Sequence, residues 1–264
     1  MLTNLAVLIC GDYRTWDLAS KHIFRFVESY SNNVDYYFVS WTTTADYQKN
    51  LKVKEQTQKA VSLDDLLDTF NGRKLINYKL VTPKTQYEDM YYLRAHLSKI
   101  GNILKRRQEI KTGVVYDQVI ELRPDVYIPV INNIKACRDF EYVIGDIYTH
   151  YRELPSLPDL YFRTSSAGND ILASRDSYNK FNDIKKFNNL LDRPVDFEPL
   201  PSSCDPHYML LDFLLAKRMI PLKNQSEAVH ATVVRPNFPD NLDELSIDEI
   251  RELYHQYQKY VDNL

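Results

Sequence analysis

Apolar residues run together near the amino terminus. Leu5-Ala6-Val7-Leu8-Ile9-Cys10 contains no polar position and stops at Gly11-Asp12-Tyr13-Arg14. An unbroken apolar run of this length reads as a strand buried on both faces. The period then changes. From about Trp16 to Tyr30, residues Ala19, Ile23, Phe26, Val27 and Tyr30 recur at helical spacing. Asp35 to Trp41 reads as a second strand. A strand–helix–strand order makes parallel pairing the expectation.

The same alternation continues. Ser62 opens a short helix, with Asp65 three residues on as a relative of the capping box, and Asn71-Gly72 closes it. Leu75 to Val81 is a third strand, closed by Pro83. A long helix is predicted over roughly Tyr87 to Glu109, with Met90, Leu93, Leu97, Ile100 and Leu104 as its apolar stripe. It feeds the run from Val114 to Tyr127, which carries Arg123-Pro124-Asp125 near its end. Phe140–Ile144 and Leu160–Arg163 are shorter strands, and Gly168-Asn169-Asp170 reads as a turn in which Asp170 caps the next segment. A helix is expected over about Asp176 to Leu191. Pro194, Pro199, Pro201 and Pro206 make residues 192–206 a stiff surface loop. Asp205-Pro206 has the cap-plus-proline signature of a helix start, and the apolar positions from Met209 to Leu215 make that helix a buried one. Ala228 to Val234 is a late strand holding His230, and Ser246-x-x-Glu249 is a capping box for a carboxyl-terminal helix. The expectation is an α/β chain with a mainly parallel, Rossmann-like sheet flanked by helices and some antiparallel additions. It is read as a single domain over 1–264, made of two halves, 1–130 and 131–264.

Composition narrows the function classes. The formal net charge of −3 argues against non-specific nucleic-acid binding, which needs a basic footprint. The densest cationic cluster, Lys105-Arg106-Arg107, falls near a predicted helix end, where cations suit the macrodipole. No apolar run approaches the roughly 20 residues of a membrane span. The first apolar run is short and lacks a basic lead-in, so it reads as a strand and not a signal peptide. Cys10, Cys137 and Cys204 are dispersed without a C-x-x-C pair, which indicates neither a zinc knuckle nor a disulfide framework. A cytoplasmic location is expected. The 20 tyrosines against 6 glycines fit either a polar ligand site or biased genome composition.

Two strand tips carry candidate chemistry and point to one shared site. At the first, Gly11 permits close backbone approach, Asp12 adds a carboxylate, and Arg14 precedes a helix amino terminus where phosphate is favoured. The plainer reading of Arg14 is a surface arginine after a turn. At the second, Asp125 is placed to hold Mg²⁺ or Mn²⁺ against a substrate diphosphate. Strand alternation puts Glu121, Arg123 and Asp125 on one face. The plainer reading there is a structural arginine–carboxylate pair. His230 is either a satisfied core histidine or a second metal ligand. Asp205 is either an N-cap or a catalytic base, and His207 lies in that helix's first turn, able to face a ligand. The chain has no G-x-G-x-x-G, P-loop, G-x-S-x-G or H-E-x-x-H pattern.

The ordered set Gly11-x-x-Arg14-Thr15-Trp16, Tyr91-Tyr92-Leu93-Arg94, Tyr116-Asp117-x-Val119-Ile120-x-x-Arg123-Pro124-Asp125 and Asp205-Pro206-His207 resembles a family of glycosyltransferases found in bacteria, large viruses and phages. Glu121 stands where that family has the first arginine of Arg-x-Arg-Pro-Asp, and Asp12 where it has glutamine. The resemblance implies a GT-A fold and a nucleotide-diphosphate-sugar donor, with a glycan or other hydroxyl acceptor. It places Gly11, Asp12, Arg14, Arg94, Arg123 and His207 around the nucleotide, and Asp125, with His230, at a Mn²⁺ or Mg²⁺ ion. Asp205 or Asp170 would be the base, and the 192–206 loop a lid. The alternative is a GT-A-like module that binds a nucleotide or glycan without turnover.

Overall fold

In the computed structural model of the chain, the first apolar run forms β1 (Leu5–Cys10), with every residue buried. Its side chains divide by period two. Leu5, Val7 and Ile9 join one core cluster, whereas Ala6, Leu8 and Cys10 join another on the opposite face. Both faces of β1 are therefore covered by helices. The structure describes residues 4–45, 58–82, 90–128, 141–142 and 161–177, with 210, 213–214, 217, 222–223, 232–234, 238–246, 248–250, 252–253 and 255–256. The helix expected over about 176–191 beyond residue 177, the proline-dense loop, and Asp205, His207 and His230 lie outside the described residues.

After β1 come α1 (Trp16–Glu28), β2 (Val34–Trp41), β3 (Thr43–Ala45), β4 (Gln58–Ala60), α2 (Leu63–Thr69) and β5 (Leu75–Val81). The chain continues through α3 (Met90–Thr112), β6 (Gln118–Leu122), β7 (Val126–Tyr127), β8 (Glu141–Tyr142), β9 (Tyr161–Thr164), α4 (Ser166–Ala173), β10 (Leu222–Lys223) and β11 (Thr232–Val233). Among the described residues, seven strands form one sheet in the order β10-β8-β9-β6-β1-β2-β5. β6, β1, β2 and β5 are parallel, and β9 is antiparallel to both β6 and β8. The α/β class and the mainly parallel sheet with antiparallel additions are as the pattern predicts. Strands from both halves of the chain enter the same sheet.

The strand order explains the helix placement. From β1 the chain steps outward to β2 and β5. It then returns through α3 to β6, on the other side of β1. Constant crossover handedness requires the returning helix to pack on the opposite face. Accordingly, α1 and α2 share one core cluster through Trp16, Ile23, Phe26, Leu66 and Phe70, and α3 enters the other through Leu97 and Leu104. Trp16 anchors the first cluster, with ring centroids 5.0 Å from Phe38 and 5.6 Å from Phe24 and Phe70. Its indole N–H donates to Thr69 Oγ1 at 3.0 Å, so the buried polar edge is satisfied. On the α3 side, Gly101 lets the helix close on β1: an added Cβ would lie 2.7 Å from Cys10 Sγ.

Local capping signals hold where they are described. Ser62 caps α2, its hydroxyl accepting from the Asp65 amide at 3.2 Å. The Ser246–Glu249 box is reciprocal, at 2.7 Å and 3.3 Å, and residues 248–250 beyond it are helical. Three expectations are corrected. The strand expected to end at Asp125 stops at Leu122, and Arg123-Pro124-Asp125 makes a turn before β7. Alternation does not persist through that turn, so Glu121 leaves the face of Arg123 and Asp125 and enters the α3 layer. Gly168-Asn169-Asp170 is helical, because Ser165 caps α4 by accepting from the Gly168 amide at 3.0 Å. Finally, Lys105, read as a helix-end cation, is fully buried and held by side chains of α4.

Candidate functional site

The sheet reverses its direction of growth between β1 and β6. In open α/β sheets, the crevice beyond the carboxyl ends of the strands at such a switch point is the usual ligand position. The Gly11–Arg14 and Arg123–Asp125 tips meet at that crevice. They are in contact: a Cβ on Gly11 would lie 2.8 Å from Pro124 Cδ. Gly11 has φ 155°, so both its backbone and its missing side chain serve the approach of the two tips.

Asp125 is the focus of the charged groups. Arg123 grips it through two parallel bonds, Nε to Oδ1 at 2.8 Å and Nη2 to Oδ2 at 2.7 Å. Arg14 adds Nη1 to Oδ2 at 3.3 Å and also holds Asp12 through Nε at 3.2 Å. The Asp125 side chain is 2% exposed, against 24% for Asp12 and 19% for Arg14. Arg94, from the first turns of α3, donates to the Cys10 carbonyl at 3.0 Å and so joins the tip of β1. Two guanidiniums thus hold the two carboxylates, and Arg94 on the β1 tip brings the formal charge of these five groups to one net positive. The backbone closes the corner. Val234 donates to the Asp125 carbonyl at 2.8 Å, and the Thr15 hydroxyl donates to the Val234 carbonyl at 3.0 Å. Thr15 therefore does not cap α1 with its side chain, and the positive end of that helix faces the same corner.

The structure brings together Gly11, Asp12, Arg14, Arg94, Arg123 and Asp125. It does not bring Asp170 to them. Asp170 accepts from Lys105 at 3.2 Å and pairs with Arg106. Lys105 lies eleven residues beyond Arg94 in the sequence, or roughly 16 Å further along α3 at about 1.5 Å per residue. Asp170 belongs to a buried network in which Lys105 donates to Ser166 Oγ at 2.7 Å and Ser166 donates to Glu109 at 2.6 Å. Burial pushes the Lys105 ammonium below its usual range, against the pull of Asp170 and Glu109. Glu121 belongs to a second buried network. It accepts from Arg175 at 2.9 Å, Ser98 at 2.8 Å and Asn169 at 3.3 Å, and it is 1% exposed.

As a cation site, the corner fits poorly. Both oxygens of Asp125 already accept from guanidiniums, so a divalent ion would have to displace Arg14 or Arg123. Among the described residues, no group of three or more His, Cys, Asp or Glu side chains converges. Cys10 is a buried thiol whose pKa is raised chiefly by burial, which is the opposite of an activated nucleophile. A recess of about 170 Å³ lies at the opposite, amino ends of the parallel strands, lined by Asn4, Asn33, Asp35, Lys74 and Tyr116 among others. Its polar groups are tied to one another: Tyr116 donates to Asp35 at 2.6 Å, and Lys74 pairs with Asp35 at 2.5 Å.

Sequence reasoning missed Thr44, whose hydroxyl donates to Asp12 at 2.8 Å and accepts the Arg14 amide at 2.8 Å. Nothing in a Thr-Thr-Thr run marks the member that turns inward. It also passed over His22, a core histidine packed edge-on to Tyr127 at 5.2 Å. Among the described residues, no helix is long and apolar enough to cross a membrane. No protein-family model matches the chain, and none of the curated proteins matches it.

Proposed function

We propose that the protein transfers a sugar from a nucleotide-diphosphate donor to a hydroxyl acceptor, as a glycosyltransferase of GT-A type. The observation that carries this reading is the gathering of Arg14, Arg94 and Arg123 at the switch point between β1 and β6, beside the amino end of α1. Guanidiniums bind phosphate oxygens in pairs, and a helix amino terminus favours an anion. In the transfer, the acceptor oxygen attacks the anomeric carbon. The bond from that carbon to the phosphate oxygen breaks, and its electron pair leaves with the diphosphate. Arg14 and Arg123 stabilise that developing charge in a corner where Asp125 is almost wholly shielded from water. The acceptor proton passes to a carboxylate. Asp205 is the candidate, since Asp170 is committed to Lys105 and Arg106. Because a divalent ion fits poorly at Asp125, no step is assigned to one.

A second reading, a module that binds a nucleotide or glycan without turnover, is favoured by one observation. Both carboxylates described at the corner, Asp12 and Asp125, are held by guanidiniums, and neither is disposed as a base. The test is a thermal-shift panel of UDP-, GDP-, CMP- and dTDP-sugars, each with and without Mn²⁺ or Mg²⁺, and then donor hydrolysis for every hit. Stabilisation with hydrolysis supports the transferase. Stabilisation without hydrolysis or transfer supports the module, and no stabilisation by any member removes both.

A further inference from the structure

Arg14 has φ 37°, the left-handed region that a residue with a Cβ enters only at a cost. The group that holds it there is on the neighbouring hairpin. Thr44 sits on β3, which pairs antiparallel with β4, with Thr44 opposite Lys59. The hairpin is fastened to the edge strand β5 by the Thr42 amide on the Val81 carbonyl at 2.9 Å, and its own two arms are joined at the base by the Val61 amide on the Thr42 carbonyl at 3.0 Å. Thr44 is 7% exposed. Its single hydroxyl serves both members of an ion pair, accepting the Arg14 amide while donating to Asp12 Oδ1, each at 2.8 Å. That leaves Asp12 Oδ2 to meet Arg14 Nε at 3.2 Å. The Arg14 guanidinium is thereby fixed at both its backbone and its head, next to Asp125.

We infer that Thr44 is the positioning residue of the anion site: it locks Arg14 in the left-handed turn so that the guanidinium meets a nucleotide diphosphate without reorganising. The ligand part of this inference rests on the reading proposed above. Preorganised donors lose less freedom when they bind, so freeing Arg14 costs affinity even though Thr44 touches no ligand. A valine has the same shape and neither hydrogen bond, whereas serine keeps both.

The test uses the full chain, with inorganic pyrophosphate and UDP as probes in titration calorimetry. Thr44→Val is expected to weaken binding about tenfold, the worth of one hydrogen bond at the upper end of its usual range. Thr44→Ser should stay within about threefold, since it keeps the hydroxyl. In an Arg14→Ala background Thr44→Val should cost nothing more, because its effect passes through Arg14. Equal binding by Thr44→Val and wild type overturns the inference, as does an equal loss in the Arg14→Ala background. Hydrogen exchange at the Arg14 amide gives a readout that needs no ligand, and it should be faster in Thr44→Val. If Thr44→Val does not fold, Thr44→Ala carries the same comparison. A wild type that binds neither probe overturns the diphosphate reading. Unchanged exchange at Arg14 overturns the role of Thr44 itself.

Discussion

Replacing Arg175 by methionine removes the guanidinium that faces Glu121 at 2.9 Å, in a place where the two side chains are 3% and 1% exposed. At an effective dielectric of about 20, the direct attraction at that separation is about 6 kcal/mol. Ser98 and Asn169 still donate to the carboxylate after the change, so part of its stabilisation survives. The expected loss is about 3–5 kcal/mol, the usual result of stranding one member of a buried pair. At about 2–4 °C per kcal/mol for a chain of this size, the midpoint of thermal unfolding should fall by about 6–20 °C. Urea unfolding monitored by circular dichroism measures the free energy, and calorimetry measures the midpoint. The double variant Glu121→Gln/Arg175→Met removes both charges and should recover half or more of the loss. A single variant that loses less than about 1 kcal/mol, or a double variant that loses the full sum of the singles, would refute the assignment of Glu121 as a structural counter-ion.

Three further perturbations test the geometry. Gly101→Ala drives a Cβ to 2.7 Å from Cys10 Sγ and should destabilise by about 1–3 kcal/mol in urea unfolding; combining it with Cys10→Ala should restore part of that loss, and strict additivity would contradict the packing. Glu109 is held below its usual carboxylate range: burial alone would raise its pKa, but bonds from Ser166, Arg106 and the Tyr116 amide, with the Lys105 charge, outweigh it. Its contribution is therefore full above the ordinary value near 4.5 and is lost as the pH falls through the depressed folded value, so Glu109→Gln should flatten the acid limb of the stability–pH profile. Gly11→Ala sets a Cβ against Pro124 Cδ at 2.8 Å and should weaken nucleotide binding in calorimetry, and unchanged binding would contradict the contact between the two tips.

Elements whose pattern is continuous and whose burial is uniform were legible in the residues alone. β1 and β2 belong to this group, buried at every residue, whereas β5 and the α3 stripe at Leu97, Ile100 and Leu104 were legible from their period alone. The meeting of the two polar tips was also legible, since both end apolar runs that the helix connections make parallel. The features that escaped depend on the fold in space. Glu121 seemed to share a face with Arg123 because period two was extended through Pro124, where the backbone turns. Lys105 looked like a helix-end cation, and only the packing of α4 on α3 buries it against Ser166 and Asp170. Asp170 was taken for a turn residue because Gly-Asn-Asp is strong turn chemistry, and the cap at Ser165 overrides it. Thr44 reaches Arg14 across thirty residues of chain, a contact that no local spacing encodes.

The central claim is that the corner between β1 and β6 binds a nucleotide through its diphosphate. The most direct measurement compares the Kd of UDP and GDP with those of uridine and guanosine, by calorimetry at fixed salt, for wild type and Arg14→Gln. At least one diphosphate is expected to bind more tightly than its nucleoside by about 100-fold or more, the scale of two charge-assisted contacts, and Arg14→Gln to lose about tenfold or more of that preference. Equal binding of nucleotide and nucleoside by the wild type, or a preference untouched by Arg14→Gln, would contradict it.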